Sequence, residues 1–161
     1  MIVRGLSQAL RMTAAALLAA LVVTGCASAR ASSPIHMAAA YVPAPTTPGT
    51  TVAYLQIRNN GQADRLISAQ TSAGGRVQLR APGARHAGVL TMHTVPDIPI
   101  PANSMTRLNP DSYHLLITGA GAMQDGKDIT LRLTFANAGT VTILAMVTDP
   151  QVGRSSNYFF N

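Results

Sequence analysis

Nine side chains beyond residue 30 can bind a soft metal ion: His36, His86, His93 and His114, with Met37, Met92, Met105, Met123 and Met146. Imidazole and thioether together suit copper, and thioether sulfur favours Cu(I) in particular. Methionine is also ordinary core filler, so the assignment depends on which of these residues the fold brings together. Acid–base catalysis has little to work with. All six acids are Asp (Asp64, Asp97, Asp111, Asp125, Asp128 and Asp149), and each falls at or near a turn. None stands with a histidine and a nucleophile at a meaningful spacing, and there is no phosphate loop or metallohydrolase pattern. The chain reads as a binding protein, not an enzyme.

The first quarter of the sequence places that chemistry outside the cytoplasm. Arg4 and Arg11 give a basic start, and Met12 to Val23 is an unbroken run of small and apolar residues. As a helix this run would span about 18 Å, short of the roughly 30 Å of a hydrocarbon core. It reads as a secretory signal peptide, residues 1–25, rather than a permanent span. Val23-Thr24-Gly25-Cys26 resembles the lipobox of bacterial lipoproteins. That resemblance implies acylation of Cys26 and anchoring to the outer face of the cytoplasmic membrane. Cys26 is the only cysteine, so no intrachain disulfide can form and the exported domain must rely on its core.

The formal charge is +6. Without the two signal-peptide arginines it is +4, spread over isolated basic residues. Nucleic acid recognition needs a basic cluster, so a nucleic acid partner is excluded. Residues 26–40 are expected to form a flexible small-residue tether, and Pro43, Pro45 and Pro48-Gly49 an extended lead-in loop.

The elements that must position the His and Met residues are strands. Val52 to Arg58 alternates, with Ala53, Leu55 and Ile57 on one face, and Asn59-Asn60-Gly61 marks a turn. Further strands are expected at Asp64–Gln70, from Val77 to Leu79, at Gly88–Val95, Met105–Leu108, Tyr113–Thr118, Thr130–Phe135 and Val141–Val147. The three prolines between Pro96 and Pro101 exclude an interior strand there. Seven to eight short strands in about 100 residues, with no convincing helix, give an all-β, Greek-key β-sandwich over residues 41–148, with 149–161 as a tail.

Several segments resemble the periplasmic copper chaperones of the PCu(A)C family. These are Ala53-Tyr54-Leu55-Gln56-Ile57-Arg58-Asn59, Ala63 to Ala69, Gly75 to Leu79, Ile98-Pro99-Ile100-Pro101-Ala102, Leu108 to His114, Leu131 to Phe135 and Ala138 to Val141. The resemblance implies a cupredoxin-like sandwich and delivery of copper to a copper-accepting extracytoplasmic protein. The family's copper site is a His, a Met ten residues on, and a later His-x-Met pair. Met92 and His114 occupy the second and third of those positions. The first falls at Arg80 or Ala81 and the fourth at Leu116, so half of the expected ligands are missing.

Three outcomes are open at this stage. Substitute ligands can complete the site, with His86, in the loop after Arg80, the best placed; Met105 and Met123 follow if their loops fold over. His93 adjoins Met92 but should point to the opposite strand face. Alternatively, Met92 and His114 hold Cu(I) weakly, or copper binding is lost and the domain is a metal-free interaction module. His36-Met37, in the expected tether, reads as incidental.

Overall fold

The computed structural model describes residues 33–47 and 49–151. The expected signal peptide, Cys26 and most of the expected tail therefore lie outside the described residues. Ten strands follow in order: β1 (Ile35–Pro43), β2 (Thr50–Asn59), β3 (Asp64–Thr71), β4 (Arg76–His86), β5 (Val89–Thr94), β6 (Ile98–Ile100), β7 (Ser104–Leu108), β8 (His114–Thr118), β9 (Asp128–Phe135) and β10 (Gly139–Thr148). Among the described residues no helix is long and apolar enough to cross a membrane.

The strands pair in the order β5-β4-β8-β2-β1-β10-β9-β3-β6, with β7 also on β2. β2 is the corner. Its first residues, Thr50–Ala53, pair with β8, while Leu55–Asn59 pair with β7. The chain of strands thereby folds over a single core, as expected of a sandwich. Alternation supplies that core: Ala53, Leu55 and Ile57 of β2, Leu115 and Ile117 of β8, and Leu131, Leu133 and Phe135 of β9 are all at most 2% exposed. Each large apolar side chain buried in this way contributes about 1.5–3 kcal/mol.

Three details differ from the sequence expectation. The strand count is ten rather than seven or eight, because β1 and the short β6 escaped the pattern. β6 carries Pro99 and pairs with β3 alone, the edge position that a proline without an N–H can occupy. The expected tether ends earlier than Ala40, since Ile35 is already buried and opposes Asn59. His36 and Met37 are strand residues. The partner of β1 beyond β2 is β10, joined in parallel at Tyr41–Met146; a pairing across a hundred residues leaves no local signal. Finally, His86 is not in a loop. Ala87 and Gly88, both at positive φ, close a two-residue turn that keeps β4 and β5 paired up to His86–Val89, as primed hairpin turns do.

Two buried polar residues hold the connections at the far end of β2. The Asn59 side-chain amide donates to Gln62 O (2.7 Å) and Pro101 O (3.1 Å), and its Oδ1 accepts from Gly61 N (2.9 Å). The Asp64 carboxylate accepts from the backbone N–H groups of Arg65, Asn137 and Ala138 at 2.7–2.9 Å. Burial alone would raise the Asp64 pKa, but these backbone donors outweigh it and hold the carboxyl below its ordinary value.

Candidate metal centre

His114 opens β8, opposite Arg80 of β4, and Arg80 in turn lies opposite Thr94 of β5. Directly paired residues share a sheet face, and so do residues two apart along a strand. Met92, two residues from Thr94 and paired with Pro82, therefore lies on the same face as His114 and Arg80. This is the face turned away from Leu79, Leu115 and Ile117. Two strand spacings, about 10 Å, separate β8 from β5, with β4 between them.

His114 is only 8% exposed. The ring of Tyr54 packs edge-on against it, at 6.1 Å between centroids and 70° between planes. Tyr54 is itself buried, which pushes its phenol up to about 12, so it faces the imidazole as a neutral group. Burial lowers the His114 pKa; the Ser112 backbone opposes this and the Arg80 cation adds to the lowering. The ring is thus neutral at pH 7, the form that ligates metals. Its Nδ1 is buried and makes no hydrogen bond of good geometry, although the Ser112 backbone lies close enough to the ring to favour its protonated form. The other such atom among the described residues is the Thr148 hydroxyl, a neutral group on another strand. A buried imidazole nitrogen left unpaired is costly, and a soft cation is a partner that would satisfy it.

The remaining candidates are dispersed. His86 pairs with Val89, and a bulge between Pro82 and Arg85 shifts the register. This turns His86 to the face opposite Met92, at the exposed tip of the hairpin. Six positions of β4 separate it from Arg80, roughly 20 Å at strand rise. The expectation that His86 completes the site is therefore corrected by the two-residue turn and the bulge. His93 opposes the buried Ala81, so it faces away from Met92, as alternation requires. Met105 lies on β7 opposite Arg58, while Met37 and Met123 pack against the core. Met146 is on β10 and 42% exposed. Leu116, two residues from His114, shares its face and offers no donor. Among the described residues no three His, Cys, Asp or Glu cluster as a metal site.

One residue gained importance only in the fold. The register places Arg80, not Ala81, on the His114 face. Its guanidinium crosses to β5 and donates to Met92 O (2.6 Å) and Thr94 Oγ1 (2.8 Å). The sequence signal was there, a lone arginine at a position where the resemblance calls for a ligand.

A family model for LpqE-like lipoproteins matches residues 35–147. The chain belongs to the LpqE-like lipoprotein family. No curated protein matches it. Among solved structures it is similar to the copper-bound PCuAC domain from PmoF2, with a TM-score of 0.61 and 23% identity over 73% of this chain and 94% of that domain. The apo PmoF2 PCuAC domain gives 0.59 and 25% over 73% and 91%. The Cu(I) form of DR1885 from Deinococcus radiodurans gives 0.58 and 23% over 84% and 87%. The LpqE-like domain thus has the PCuAC fold that its sequence segments resemble.

Proposed function

We propose that this LpqE-like lipoprotein carries Cu(I) outside the cytoplasm and passes it to a copper-accepting partner. Acylated Cys26 holds it on the outer face of the cytoplasmic membrane. His114 Nδ1 is the principal ligand and the Met92 thioether, on the same sheet face, the second. Copper is cargo here, and the domain performs no catalysis. The observation that carries this reading is the buried, neutral, unpartnered imidazole nitrogen of His114, on a fold shared with two copper-bound domains. With only two ligands from this chain, the metal keeps positions free for a partner's thioether or thiolate, so transfer proceeds by ligand exchange.

The test is a Cu(I) titration of the exported domain against a competing chelator, beside a Met92→Ala, His114→Ala double variant. At least a hundredfold weaker binding by the variant supports the reading. Equal affinities would end it. One observation favours the metal-free interaction module instead: the Arg80 cation lies in the same cross-strand row as His114. Equal affinities in this titration are what that module predicts.

A further inference from the structure

Arg80 stands where its charge must be felt by any cation bound between β8 and β5. It is opposite His114 on one side and opposite Thr94 on the other. Its guanidinium is fixed on β5 by Met92 O and Thr94 Oγ1. On its own hairpin no carboxylate offsets it: residues 76–96, which contain β4 and β5, carry Arg76, Arg80 and Arg85 and no acid. The nearest acid the site registers is Asp111, three residues before His114, whose charge raises the pKa of Tyr54. The single salt bridge among the described residues, Arg65 to Asp97 at 3.0 Å, lies on β3 and the loop before β6.

Resting on the copper reading above, we propose that Arg80 is a built-in affinity limiter: a fixed cation, latched across β5, that repels bound Cu(I) and keeps the site poised for release. A like charge in the same row weakens every bound state without removing a donor. Withdrawal of a monovalent ion to a partner then relieves repulsion. Even at about 10 Å and an effective dielectric of about 20, one unit charge is worth on the order of a tenfold change in affinity, and β4 lies nearer than that to any ion held between β8 and β5.

The experiment measures Cu(I) affinity by chelator competition, in chloride-free buffer, for the wild-type domain and for Arg80→Gln, Arg80→Lys and His114→Ala. Each is measured at low and high ionic strength. Arg80→Gln is expected to bind about tenfold more tightly, which corresponds to about 1.4 kcal/mol, and Arg80→Lys to stay within about threefold of wild type. Wild-type affinity should rise with salt as the repulsion is screened, while that of Arg80→Gln should change little. Thermal melting of the copper-free variants establishes that each is folded. If His114→Ala weakens binding but Arg80→Gln gains nothing, or if Arg80→Lys gains as much as Arg80→Gln, the limiter is refuted and the copper reading stands. If His114→Ala binds as wild type does, both fall together.

Discussion

Two buried polar clusters in this small sandwich are treated in opposite ways. At the far end of β2, Asn59 and Asp64 tie together three connecting segments, and the bonds they make are with backbone groups. On the outer face of β8, His114 is almost as deeply buried, yet its Nδ1 has no partner. Desolvation costs both clusters. Only the first recovers that cost within the chain. The contrast separates a polar group that serves the architecture from one that the architecture leaves without use, and the copper reading proposed above gives the second a purpose.

This contrast can be broken at several points. The largest stability effect is expected from Asn59→Leu, which leaves the Gly61 N–H and the Gln62 and Pro101 carbonyls without their partner. Denaturant melts should show a loss of about 4 kcal/mol; a loss under about 1 kcal/mol would remove Asn59 from the architecture. Next comes Ile35→Ala, expected to cost about 3 kcal/mol because β1 starts there and Ile35 is 3% exposed. A tether extending to residue 40 predicts no change. Asp64→Asn should lose about 2 kcal/mol at neutral pH. Its pH dependence is as informative as its size. The folded pKa lies below the unfolded one, so the stabilisation is present above about pH 4 and lost as pH falls through the folded value. The Asn variant should lack that step.

His114→Leu should have the smallest effect on folding. Replacing an unsatisfied ring with an apolar side chain is expected to leave the melting temperature unchanged or raised. The folded His114 pKa lies below its ordinary value, so wild-type stability should decline as pH drops below about 6.5, and the Leu variant should lack this decline. A loss of several kcal/mol at pH 7 would place His114 with Asn59 and Asp64 as architecture.

Much of the sandwich was legible because alternation reports burial directly. The inward set of β9, Leu131, Leu133 and Phe135, is the set that sequence alternation marks, and β8 places Leu115 and Ile117 as expected. The same logic failed at Ile35 and Met37, where a small-residue context hid a strand whose second neighbour comes from the opposite end of the chain. It failed again at His86, because a bulge inverts the facing of every residue beyond it and the bulge between Pro82 and Arg85 has no reliable periodic signature. Met92 and His114 were singled out by the family resemblance, and the register puts them on one sheet face. The placement of Arg80 on that face was not legible, since choosing between Arg80 and Ala81 needs the register of β4 against β8, which only the folded structure supplies.

Whether His114 Nδ1 takes up a soft cation can be read from an imidazole nitrogen correlation spectrum of the domain as Cu(I) is added, alongside the methyl signal of Met92. His114 Nδ1 is expected to shift on binding together with the Met92 methyl, while His36, His86 and His93 stay in place. Shifts confined to those other histidines, or a His114 resonance indifferent to copper, would contradict the copper reading.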